Sequence, residues 1–310
     1  MALVERTRAL LAAGALAAAS LQASRAHAAD PERVEWSPDW PRFRALEIVA
    51  TGVFVGQALT AALLYPTPPI RWRGGILFDD AVRDAIRPDT RDSRESLRPY
   101  SDNLYYGAVA FPLIVDTALV AGVIHGSGDV ALQMFAINVQ SFALSGALTL
   151  TAQKLGRERP AGRDCAEDPQ SSPKCRSPEG LTQSFFSGHT ASVATSAGLT
   201  CVHHQHLPLY GGGFADTLAC VVLLAATAVE GTLRVMTDDH YTSDVLIGAG
   251  VGLASGYLLP SWLHYGFAND GKARGERSFL PMWRTEHGGA VIVAPQIAAS
   301  YGGVSVVGMY

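Results

Sequence analysis

Apolar positions gather into six blocks, at approximately 45–65, 107–125, 130–152, 190–207, 216–233 and 244–264. Each is near the ~20 residues that an α-helix needs to cross hydrocarbon. The third block carries Gln133, Asn138 and Gln140, and the fourth carries His203, His204 and His206. Polar residues inside such helices point to packing against other helices or to a cavity lining more than to lipid contact. The pattern predicts an all-α fold, a six-helix transmembrane bundle with a short C-terminal β-strand-like tail. In the last block Gly248, Gly252 and Gly256 recur every four residues, which reads as close helix packing and fits no nucleotide-binding loop. Asp116, in the second block, is costly in lipid and is expected to face the bundle interior, with no partner evident from sequence.

The flanks divide the chain further. Residues 1–28 place Arg6 and Arg8 before an Ala/Leu run and end in Ala26-His27-Ala28, the three parts of a secretory signal or an uncleaved lead-in. Residues 29–44 are polar, rich in proline and tryptophan, and read as an interfacial segment. Residues 45–265 form the membrane-embedded domain. The tail, 266–310, alternates β-branched residues with glycine from Gly288 onward and reads as two or three strands. Alternating helix directions put the long loops, 66–104 and 153–184, and the short 234–243 connection on one side, where function is expected to concentrate.

Composition agrees with a membrane protein. Charged residues make up 17% of the 310 residues and hydrophobic residues 48%, against roughly 25% charged in an ordinary soluble domain. A net charge of -4 gives no footprint for nucleic acid. Four cysteines do not make a disulfide scaffold. His203, His204 and His206 lack the Cys, Asp or Glu that would complete a zinc ligand set, and no metal or other cofactor is expected.

Three clusters at helix ends carry candidate chemistry: Lys154-Leu-Gly-Arg157-Glu-Arg159-Pro160, Ser184-Phe-Phe-Ser187-Gly188-His189-Thr190, and Arg234 through His240 to Asp244. Arg159 and Arg234 can fork onto phosphate oxygens. Ser187 and Gly188 open a helix, whose free N–H groups favour an anion. His240 and Asp244 stand i to i+4 on one helix face, so the carboxylate is expected to hold Nδ1–H of His240 and leave Nε2 as nucleophile. His189 can protonate a leaving oxygen. Glu230, four residues before Arg234, is expected to brace its guanidinium.

Together these clusters resemble the motifs of the type 2 phosphatidic acid phosphatase superfamily, K-x6-R-P, P-S-G-H and S-R-x5-H-x3-D, over roughly 105–265. The resemblance implies a phosphohistidine at His240, leaving-group protonation by His189, and metal-independent hydrolysis of lipid phosphates or diphosphates. Ala152 stands where the family has its lysine, leaving Lys154 or Arg157 as substitutes; Phe186 and Leu233 replace the motif proline and serine. The partners implied are a lipid phosphate or diphosphate and the bilayer.

Orientation is open on sequence. A cleaved signal followed by six spans, and the arginines of the motif-side loops, put the site in the cytoplasm. The resemblance puts it on the periplasmic face of a bacterial-type inner membrane, where Cys165 and Cys175 would make a disulfide. Cys201 and Cys220 lie within helices and read as core residues. A lipid phosphotransferase with the same site, or a non-catalytic membrane binding or transport protein, are the alternative readings.

Overall fold

The computed structural model describes residues 33–165, 167–266, 282–284, 290–298 and 301–309. The expected signal or lead-in at 1–28 lies outside the described residues. Two compact units are present, Met1–Phe267 and Ala268–Tyr310.

The first unit is helical. Helix α1, Ala45–Leu59, continues as a wider π turn to Leu64. Helix α2, Asp79–Ile86, lies in the arginine-rich connection. Helix α3, Arg91–Ala110, starts at Thr90, whose hydroxyl accepts from Ser93 N. It runs on to Ile124 as a π segment. Pro112 has no N–H to give, so the ladder rearranges there, and its carbonyl accepts from Thr117 Oγ1 (2.6 Å) and Asn138 Nδ2 (3.0 Å). The apolar block expected at 107–125 is therefore only the C-terminal part of a helix whose first part is polar.

Helix α4, Gly128–Ala152, ends in a tighter turn to Leu155, and Gly156 takes the left-handed conformation at φ 75° that closes it. A Cβ there would stand 2.3 Å from Pro69 O, so the position demands glycine twice over. Helices α5 (Gly188–His206), α6 (Phe214–Met236) and α7 (Thr242–Leu253) complete the unit, α7 extending through π turns to Tyr265. Within the segment expected to be interfacial, Val34 and Trp36 are buried in a cluster with Leu207, Leu209 and Tyr265.

Helix α5 is central, touching α3, α4, α6 and α7. The glycine stripe of α7 makes this closeness possible: Cβ atoms at Gly248, Gly252 and Gly256 would fall 2.7, 2.2 and 2.1 Å from the carbonyls of Ser187, Ala191 and Thr195. Successive turns of the two helices thus meet backbone to backbone.

The expected six-helix transmembrane bundle is corrected by one helix. Among the described residues five helices are long and apolar enough to cross a membrane: Ala45–Leu64, Arg91–Ile124, Gly128–Leu155, Phe214–Met236 and Thr242–Tyr265. They support a multi-pass membrane protein. The fourth apolar block forms α5, which does not meet that criterion. Most of its residues, including Thr190, Thr195, Ser196, Thr200 and His203, are buried against neighbouring helices. A helix wrapped by other helices escapes the requirement that lipid imposes.

Among the described residues of the second unit, β1 (Met282–Arg284), β2 (Ala290–Ala298) and β3 (Tyr301–Met309) pair antiparallel in the order β1-β2-β3. Val293 faces Val306 across the β2–β3 pair.

Candidate active site

The turn between α6 and α7 sets the geometry. Asp239 N and His240 N both donate to the Arg234 carbonyl (3.1 and 3.2 Å), folding the chain back over the end of α6. Asp238 takes a left-handed φ of 57°, which an aspartate tolerates better than most residues. The two consecutive acids serve different arginine groups. Asp238 pairs with Arg83 and Arg87 of the α2 region and Arg94 of α3, while Asp239 pairs with Arg98, Arg159, Lys174 and Arg234.

His240 is buried, and its Nδ1 lies 2.7 Å from the Ser184 carbonyl. A carbonyl can only accept, so Nδ1 carries the proton and Nε2 keeps its lone pair. Burial, then the guanidinium groups of Arg159 and Arg234, hold the imidazole well below its ordinary range and so neutral. The orienting contact expected from Asp244 is instead made by backbone.

Asp244 acts one step further away. Its carboxylate accepts from Ser184 Oγ (2.6 Å), Tyr241 N (3.0 Å) and Arg157 Nη1 (2.5 Å). It therefore fixes the residue whose carbonyl fixes His240. Arg157, fully buried, spans Asp244 and Asp79 and lies between the rings of Trp72 and Tyr241, 4.0 and 4.4 Å from their centroids. Asp79 opens α2 and also accepts from Ser243 N at the start of α7 (2.7 Å). Arg157 thus has its charge matched by internal carboxylates, which differs from the phosphate-binding place expected of it. Lys154 is also elsewhere, donating to the Tyr65 carbonyl (3.0 Å).

His189 approaches from the first turn of α5. Its Nε2 lies 3.4 Å from Asp102 of α3, and its ring centroid 4.4 Å from that of Tyr105. Burial, then Arg234, lower its pKa to about 4, against an opposing pull from Asp102. Arg234 and Asp239 act electrostatically on both His189 and His240. Ser187 caps α5, accepting from Thr190 N (3.4 Å), while its own N–H goes to the Asp244 carbonyl (3.1 Å). Gly188 follows where a Cβ would press on Thr149 Cγ2 at 3.1 Å. Glu230 reaches Arg234 indirectly: Ser101 Oγ donates to Glu230 (2.6 Å) and accepts from Arg234 Nη1 (3.3 Å).

The structure thus gathers Arg159, Arg234, His189, His240 and the Ser187–Gly188 helix start, supported from behind by Asp244 and Arg157. Arg98, Ser101, Asp102, Tyr105 and Lys174 were not singled out from sequence, and Ser184 and Asp239, though within the clusters, were given no role. The α3 group alone had a readable signal, since 98, 101, 102 and 105 follow helical spacing on one face.

Two disulfides are present. Cys165–Cys175 closes a turn of the site loop, and Cys201–Cys220 joins α5 to α6, correcting the reading of the latter two as free core residues. An apolar cleft of about 370 Å³, lined by Cys201, Cys220, Leu224, Leu253 and Tyr257 among others, contains none of the motif residues.

Residues 133–268 match the family model of the PAP2 superfamily, so a PAP2-superfamily domain is present in the chain. No curated protein and no solved structure matches it.

Proposed function

We propose that the protein is a metal-independent membrane phosphatase acting on a lipid phosphate monoester or a lipid or prenyl diphosphate. The observation that carries this reading is a neutral, tautomer-fixed His240 under the electrostatic influence of Arg159 and Arg234, with His189 under that of the same Arg234. Nε2 of His240 attacks phosphorus, the bond from phosphorus to the lipid oxygen breaks, and that oxygen takes a proton from His189. Water then attacks the phosphohistidine with His189 as base, releasing inorganic phosphate and restoring both imidazoles. The low proton affinity of His189 in the free site suits the second step. A bound phosphate dianion raises it for the first, because added negative charge nearby favours imidazolium.

Arg159 and Arg234 neutralise the phosphoryl oxygens, and the start of α5 adds backbone donors. The site is assigned to the periplasmic face of a bacterial-type inner membrane, because the Cys165–Cys175 disulfide beside it belongs to an oxidising compartment. Phosphate release from a panel of lipid phosphates in detergent with EDTA, comparing wild type with His240→Ala, tests the reading. Release by wild type alone supports it; equal release by both removes His240 from the mechanism.

A further inference from the structure

Four cations converge on one carboxylate. Asp239 receives Lys174 Nζ at 2.8 Å, Arg159 Nη1 at 2.9 Å, Arg234 Nη2 at 3.3 Å and Arg98 Nη2 at 3.5 Å. Arg98 also pairs with Glu95 (2.7 Å), so two carboxylates face four cations and a surplus of positive charge remains, unlike the neighbouring Asp79–Arg157–Asp244 set, where carboxylates exceed cations. Donor capacity is also left over, since the buried Nε of Arg234 makes no hydrogen bond to a described residue. An excess of cations, Arg234 buried and the others partly exposed, with a spare donor suits a multiply charged oxyanion better than a carboxylate.

Lys174 is the member that arrives from outside the helices. It sits beside Cys175, whose disulfide to Cys165 ties this turn to the stretch following Arg159. Arg94 and Arg91 of α3 hold the same turn through the carbonyls of Ser171 (3.0 Å) and Gln170 (3.1 Å). Lys174 N donates to Ser172 Oγ (3.3 Å), and its ammonium also donates to the Thr237 carbonyl (3.1 Å). The ammonium group is thus held at a fixed place among the cations at the histidine pair.

We propose that Lys174 is a substrate-binding residue, completing with Arg98, Arg159 and Arg234 one phosphate site in which the Asp239 carboxylate holds the anion's place until substrate displaces it. This deepens the phosphatase reading and rests on it for the identity of the anion. The Cys165–Cys175 bond is the positioning element for Lys174.

The test is direct binding of inorganic phosphate to the purified full-length protein in detergent, by calorimetry, alongside KM for a hydrolysed lipid phosphate. Lys174→Gln is expected to raise Kd and KM at least tenfold, with Lys174→Arg within about threefold of wild type. Folded Asp239→Asn is expected to bind phosphate several-fold more tightly, an effect that a purely structural ion pair does not produce. Cys165→Ser/Cys175→Ser is expected to move Kd in the direction of Lys174→Gln. Wild-type affinity in Lys174→Gln overturns the assignment of Lys174, and weaker or unchanged binding by Asp239→Asn overturns the role given to that carboxylate. Wild-type protein that hydrolyses the lipid phosphate but binds no inorganic phosphate overturns this inference and leaves the phosphatase reading standing. Binding without hydrolysis removes the hydrolase reading and leaves the anion site standing.

Discussion

Both ends of α5 carry a histidine among charged groups, and they are built on opposite principles. At its start, His189 and the nearby His240 surround a cluster in which cations outnumber the carboxylate they share. Toward its end, His204 lies between Asp116 (3.4 Å) and Asp216 (2.5 Å). Asp116 also accepts from Tyr210 Oη, and Asp216 from the N–H groups of Tyr210 and Gly212. His203 beside it uses both ring nitrogens, toward Tyr265 Oη and Asn138 Oδ1. The second region sets two carboxylates against one imidazole and ties α5 to α3, α4 and the α5–α6 turn. The first retains unmatched charge and an imidazole lone pair. An excess of positive charge, more than the presence of histidine, distinguishes the first region from the second.

Substitutions at the two ends should therefore part company. His240→Ala is expected to lower kcat by about a thousandfold or more, the usual scale for loss of a nucleophile. His204→Ala should leave kcat/KM of the folded protein nearly unchanged while costing about 1–3 kcal/mol of stability, as buried partners lose a hydrogen bond. Phosphate release and thermal unfolding in the same detergent measure both. A large loss of kcat in folded His204→Ala would break the comparison.

The next largest effect belongs to Arg157. Removing it strands the buried carboxylates of Asp79 and Asp244, so Arg157→Ala should destabilise the protein by about 3–5 kcal/mol. Chemical or thermal unfolding checks this. If Arg157→Ala instead unfolds like wild type and raises KM alone, the residue binds substrate.

A smaller effect sharpens the account of His240. Ser184→Ala keeps the carbonyl that holds Nδ1 but cuts the hydroxyl bond to Asp244, and should lower kcat by about five- to tenfold, the equivalent of about 1 kcal/mol. Unchanged kcat would mean that the backbone holds the imidazole without help from Asp244.

The smallest effect is one of pH. Burial lowers Lys174 to about 8, against the pull of Asp239 and with the push of Arg98 and Arg159. Its charge is complete below that value and lost above it, so phosphate affinity should fall as pH rises through about 8. Lys174→Arg, which stays charged, should remove that limb of a Kd-against-pH profile. A limb unchanged in Lys174→Arg would assign it to another group.

Much of the helical order was legible because lipid imposes long apolar runs, and the motif residues stand at their ends. The helix count failed at α5, since hydropathy measures what lipid demands and α5 is enclosed by protein. The glycine stripe of α7 was legible because a four-residue repeat can only line one helix face. The Cys201–Cys220 bond was not, because sequence does not give the relative depth of two antiparallel helices. Arg159, Arg234, His189 and His240 were readable as candidates because their clusters stand at helix ends. The orienting group of His240 was misplaced because it is a peptide carbonyl, which leaves no mark in the sequence. Lys174 escaped notice in a polar loop whose fold depends on a disulfide and on arginines from α3.

The central claim is a covalent intermediate on one nitrogen. The most direct measurement is rapid quenching of the enzyme with a lipid phosphate at alkaline pH, where phosphohistidine survives, followed by peptide mass spectrometry. The account predicts phosphate on His240, accumulating further in His189→Ala, which lacks the base for its hydrolysis. Turnover with no phosphate on His240 in either protein, or with phosphate on another residue, would contradict it.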